Sequence, residues 1–230
     1  MRASERSASD NAVNDGCSRE VTSRQRNKLA NTVPYMTCPW RVSGLRGTGS
    51  HDFSLDDVFV PEQRAITGFG GTPTQPGRLY GLPFTIFSVS LVGVPLGLAR
   101  AAIDTLTELA RNKSPMDSKQ LLKDKPAIQA AIGRAEATLR AARAFLFEAV
   151  QAMWDAAETS EPSLEQRALV RLSITHVAAA AKQVTEMMFE AGGGTALHED
   201  GRLARCSRDA QAAAPRLRTS PRSPLSMSGD

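Results

Sequence analysis

A chain of 230 residues with 41% hydrophobic side chains can hold one large domain plus appendages, and that hydrophobic share is low for a chain folded throughout. The formal charge of +4 resides in the ends: residues 1–39 carry six Arg/Lys against four Asp/Glu, residues 213–230 carry three Arg against one Asp, and residues 40–212 carry 19 of each sign. Basic ends without interleaved aromatics give bases nothing to stack on, which argues against a nucleic-acid partner. Three scattered cysteines without C-x-x-C spacing argue against a zinc site or a disulfide framework and fit a reducing, cytoplasmic setting.

Residues 1–39 are rich in Ser, Asn, Arg and Asp, show no hydrophobic periodicity and open with no signal peptide, so disorder is expected. Residues 40–64 read as a glycine-punctuated turn (Gly44, Gly47, Gly49) followed by one strand. Phe53 and Leu55 alternate there with Ser54 and Asp56, up to Pro61. One strand cannot stand alone, so this reads as the last strand of a sheet whose other strands are missing. Residues 65–82 hold five glycines and two prolines and form a loop.

A first helix is expected from about Phe84 to Lys113, with a kink or break near Pro95. Pro83 and Pro95 also interrupt the longest apolar stretch, Leu79 to Ala102, which argues against a membrane span. Asp124 is placed to cap a second helix and Pro126 to occupy its first turn. Ile128, Ile132, Ala135, Leu139, Ala142, Leu146, Ala149 and Met153 then recur at alternating steps of four and three, the spacing of a bundle seam.

Ser163 and Gln166 form a capping box for a third helix, whose stripe reads Leu169, Leu172, His176, Ala180, Val184, Met187 and Ala191 until Gly192-Gly193-Gly194 stops it. A shorter fourth helix spans about Arg202 to Ala213, and the Pro215–Pro224 run is not expected to continue it. Apolar side chains beyond one stripe (Phe145, Phe147, Trp154, Met188, Phe189) suggest packing against other chains. The fold class is therefore mainly α: a C-terminal four-helix, up-down bundle preceded by a short β-strand remnant, with disordered ends.

Few residues carry recognisable chemistry. His176 on the third stripe reads as a core histidine, and no second ligand lies three or four residues away, so no metal site is expected. His51 and Asp52 are strand neighbours on opposite faces, unsuited to a dyad. The Gly192-Gly193-Gly194-Thr195 cluster reads either as a helix C-cap with glycine at positive φ or as bare backbone that a diphosphate approaches. Arg202, Arg205 and Arg208 are available as countercharge in the second case.

The segment Trp40…Gly44-Leu45-Arg46-Gly47-Thr48-Gly49-Ser50-His51-Asp52…Val58-Phe59-Val60-Pro61 resembles the end of the middle β-domain of the acyl-CoA dehydrogenase superfamily. Leu96–Ala102, Asp124–Gln129, Ala135–Arg143, and Gly192-Gly193…Arg205-x-x-Arg208-Asp209 fit the same family in the same order, nearest to the branch that includes flavin-dependent monooxygenases. The resemblance implies that 40–64 is a remnant of that β-domain and that 83–213 is the C-terminal helical bundle, followed by a tail over 214–230.

It further implies FAD as cofactor and a homo-oligomer (dimer or tetramer) assembled through the bundle. The activity implied is flavin-dependent oxidoreduction of an acyl-CoA or an aromatic small molecule, with the redox chemistry carried by the flavin. Gln129 would face the flavin nucleotide, Gly192 and Gly193 would lie against its diphosphate part, and Arg111 is the candidate pyrophosphate arginine. The family's catalytic base has no counterpart, and the pattern ends after Ala213. The expectation is a fragment, from a truncated or frame-shifted gene, with little activity and doubtful flavin retention; an inactive helical oligomerisation module is the alternative.

Overall fold

The computed structural model describes residues 35–36, 40–51, 53–54, 59, 61, 63, 75–115 and 119–218. The chain divides into two units, Met1–Trp40 with Gly49–Ala65, and Arg41–Thr48 with Ile66–Asp230. Within the first unit, β1 (Tyr35–Met36) pairs antiparallel with β2 (Phe53–Ser54), Tyr35 opposite Ser54. Most of the strand expected over 53–60 lies outside the described residues, as does most of the segment 1–39.

The second unit holds four helices: α1 (Phe87–Asn112), α2 (Pro126–Ala156), α3 (Leu164–Gly192) and α4 (Arg202–Arg218). Two apolar clusters fix their directions. One joins Ala99–Leu106 of α1, Ala135 and Leu139 of α2, Ala181–Met188 of α3, and Leu203 and Cys206 of α4. The other joins Val92 of α1, Ala142–Met153 of α2 and Val170–Ala180 of α3. The start of α2 thus packs with the ends of α1 and α3, so α2 runs antiparallel to both. Full burial of Leu106, Met153, Val184 and Met188 contributes roughly 1.5–3 kcal/mol each.

The α2 stripe behaves as its spacing predicts: Ala135, Leu139, Ala142, Leu146, Ala149 and Met153 are buried. Pro126 takes the first turn, but Asp124 makes no cap. It ends a separate 3₁₀ turn (Leu122–Asp124), and Lys125 occupies the cap position with its carbonyl accepting from Ile128 and Gln129. The Ser163 capping box forms in both directions: the Gln166 N–H donates to Ser163 Oγ (3.2 Å), and the Ser163 N–H donates to Gln166 Oε1 (2.8 Å).

Other expectations fail for physical reasons. The first half of α3 is rotated relative to the expected stripe. Val170, Ser173, Ile174 and Val177 face inward, while Leu169, Leu172 and His176 are exposed. The helix offers two overlapping apolar arcs, and the β-branched arc packs on α2. His176 therefore sits outside the core, its ring edge-on to Phe145 at 6.0 Å. Met188 is fully buried, whereas Phe147 and Trp154 are exposed as expected.

No break occurs at Pro95, which α1 carries inside its length. The ring is buried, so packing offsets the lost amide donor. Likewise α4 runs through Pro215 to Arg218, held by buried Ala213 and Ala214. With its proline accommodated, Phe84–Asn112 is long and apolar enough to cross a membrane. One face of it nonetheless packs in both clusters through Val92, Ala99, Ala102, Ile103 and Leu106, as a core helix does.

Candidate functional site

The glycine turn after α3 is built from three sides. Gly192 ends α3 and is buried. A Cβ there would lie 2.8 Å from Leu203 Cδ1 and 3.0 Å from Ala196 Cβ, so a bare Cα is what lets α4 close down on the turn. Gly193 caps the helix at φ 57°, a conformation suited to glycine, and its N–H donates to the Glu190 carbonyl. The C-cap reading of the cluster is thus realised, with Gly193's own amide engaged. Gly193 and Gly194 are exposed, and open space lies where each would carry a Cβ.

The third side is Lys113, which the sequence places at the end of the first helix but not at the glycine turn. It is the C-cap of α1, with its N–H on the Leu109 carbonyl and its own carbonyl accepting from Leu122. Its ammonium donates to the Gly192 carbonyl (3.1 Å) and to Thr195 Oγ1 (2.5 Å). A cation here offsets the negative end of α3 and ties the ends of α1 and α3 to the start of the loop before α2. The available signal was a lysine directly before Ser114-Pro115, where α1 must stop.

The expected companions of the turn are elsewhere. Arg111, two residues earlier, is exposed, and its guanidinium has no polar partner among the described residues. Gln129 is exposed in the first turn of α2, and its amide donates to the Lys123 carbonyl (2.8 Å), bracing the preceding 3₁₀ turn. Arg205 and Arg208 are engaged at the other segment that packs on α4. With Ser43, Leu45, Arg46, Gly47, Thr48 and Asp209 they line a cleft of about 330 Å³ between α4 and the Arg41–Thr48 turn. Arg208 donates to the Glu199 carbonyl (2.9 Å), and Arg205 lies 3.7 Å from Asp209.

A second charged group bridges α1 and α2. Glu136 accepts from Arg140 (2.8 Å) and Arg100 (2.7 Å), and Arg100 also pairs with Asp104 (3.1 Å). The hydrogen bond from Arg140, then that from Arg100, holds the Glu136 carboxyl below its usual range. Burial pushes the Cys206 thiol up, which makes it a poor nucleophile. Among the described residues no group of three His, Cys, Asp or Glu side chains is placed to hold a metal ion.

Residues 89–219 match the family model of the acyl-CoA dehydrogenase C-terminal domain. The chain is 36% identical over 174 residues to an indole-3-acetate monooxygenase of Pseudomonas putida, an alignment covering 75% of this chain and 44% of that protein. Among solved structures it resembles the HsaA monooxygenase from M. tuberculosis (TM-score 0.68, 25% identity, 80% of this chain and 51% of that one). It also resembles XiaF from Streptomyces sp. in complex with FADH2 and glycerol (TM-score 0.70, 26% identity, 79% of this chain and 48% of that one). The chain spans about half the length of these relatives.

Proposed function

The chain belongs to the acyl-CoA dehydrogenase family through its C-terminal domain, and from that premise we propose that it is the helical-bundle portion of a flavin-dependent oxidoreductase of the monooxygenase kind, acting on a small aromatic or acyl substrate. In this reading its own share of cofactor binding is to hold the diphosphate of FAD at the glycine turn. The kinship with proteins named as monooxygenases supports the reaction class. The observation that carries the binding role is the Lys113 ammonium fixed beside Gly192 and Thr195.

The residues present fit such a group. An ammonium has three donors, and two are engaged at the turn, which leaves one for a phosphate oxygen. The exposed Gly193 and Gly194, with open space above them, allow a ligand to approach the backbone. A bound flavin would supply the redox chemistry. The chain's residues bind and orient it: Lys113 offsets phosphate charge, and Gly192 lets Leu203 of α4 brace the turn from behind. Self-association through the bundle is part of the same proposal, supported by the exposed apolar row of Phe84, just before α1, with Phe87, Leu91 and Val94 on α1, and by exposed Phe147 on α2.

Titrating the purified chain against flavin fluorescence tests the binding role. FAD should saturate, whereas riboflavin, which lacks the diphosphate, should bind at least about tenfold more weakly. Equal affinities for the two would remove the diphosphate from the account.

A further inference from the structure

Two segments that the flavin reading leaves unused, Gly44–Thr48 and Arg205–Asp209, meet in space. The Leu45 N–H donates to Asp209 Oδ1 over 2.6 Å, across 164 positions of sequence. The Asp209 side chain is 17% exposed, so a charge-assisted bond there is only partly screened. Leu45 holds φ 56°, and it is the non-glycine residue at positive φ among those described. A leucine adopts that conformation only when its surroundings hold it there.

Beside it, a Cβ on Gly44 would lie 2.2 Å from the Arg208 carbonyl oxygen, so turn and helix touch backbone to backbone. The turn is closed on itself by the Thr48 N–H and Oγ1 on the Leu45 carbonyl (3.1 and 3.0 Å) and by Arg46 Nε on the Val42 carbonyl (3.1 Å). One turn of α4 before Cys206, Leu203 rests against Gly192.

We propose that Arg41–Thr48 is a strap with Asp209 as its catch, and that the strap fixes α4 and, through Leu203, the shape of the glycine turn. Asp209 is a positioning residue: it holds the strained Leu45 in place, and Gly44 lets the strap lie flat on the Arg208 carbonyl. Releasing the catch lets Leu45 relax, unseats α4 and loosens the packing behind Gly192. The segment that enters the bundle is thereby coupled to its last helix and to the turn after α3. This coupling stands whether or not that turn takes a flavin phosphate.

Hydrogen exchange measured by mass spectrometry on the full chain tests it. Asp209→Ala should raise exchange in 43–48, 193–197 and α4 by about ten- to a hundredfold, the scale of one charge-assisted hydrogen bond, and leave α2 unchanged. Asp209→Asn keeps an acceptor oxygen without the charge and should fall between Asp209→Ala and the native chain. Gly44→Ala should reproduce the regional pattern from the other side of the contact. Unchanged exchange in α4, or an equal rise in α2 and α4, would overturn the strap.

Discussion

The Lys113 ammonium lies 3.1 Å from the Gly192 carbonyl oxygen, although 79 positions separate them. This contact joins the ends of α1 and α3, and a second bond to Thr195 extends it into the turn. Lys113→Met keeps the apolar stem and removes both bonds and the charge at the helix end. It should cost about 1–2 kcal/mol. Thermal denaturation should show a Tm lower by a few degrees, at ~2–4 °C per kcal/mol. An unchanged Tm would mean that the contact is electrostatically idle.

Gly192→Ala should destabilise by about 1–3 kcal/mol, because the new methyl meets Leu203 Cδ1 at 2.8 Å. The closest clash is with the end of a side chain, so Leu203→Ala should relieve that part of it and leave only the contact with Ala196 Cβ at 3.0 Å. Urea denaturation of the two single variants and the double variant should give a coupling energy above ~0.5 kcal/mol. Strict additivity would show that Gly192 is not needed for the seating of α4.

Glu136 links stability to pH. Its folded-state pKa is lowered by Arg140 and Arg100, so the carboxylate form favours the folded state. That contribution is fully present above the ordinary carboxylate range and is lost as pH falls through the lowered value. The pairs are largely solvent-exposed, so Glu136→Gln should cost no more than about 1 kcal/mol at neutral pH. The difference between the variant and the native chain should shrink in acid and in high salt. A difference that grows as pH falls would reverse the sign argued here.

Cys206 should be inert in the folded chain. It is 4% exposed within the cluster that joins all four helices, and burial raises its pKa. In a Cys17→Ser/Cys38→Ser background, a thiol reagent should label Cys206 only after unfolding. Rapid labelling under native conditions would place α4 outside the core.

The sequence made the long regular features legible. The alternating steps of α2 and the Ser163–Gln166 box follow from local geometry, and both appear as read. Local rules failed where tertiary packing decides. Pro95 and Pro215 are helix breakers in isolation, yet each is carried by buried neighbours. His176 lies on a plausible stripe, but the competing arc through Val170, Ile174 and Val177 carries the β-branched residues and takes the inside.

The site was partly legible for the same reason. Positive φ at Gly193 follows from a glycine run at a helix end. That Lys113 and not Arg111 reaches the turn depends on where α1 stops and how α3 crosses it, which no local spacing encodes. The Leu45–Asp209 contact spans 164 positions and was equally out of reach, although both of its motifs were visible.

The central claim is that Lys113 at the glycine turn holds a flavin diphosphate, and FAD affinity measured side by side in Lys113→Ala and Arg111→Ala tests it most directly. The account predicts a loss of about tenfold or more for Lys113→Ala, the scale of one charge-assisted hydrogen bond, and native affinity for Arg111→Ala. Native affinity in Lys113→Ala together with a loss in Arg111→Ala would contradict it.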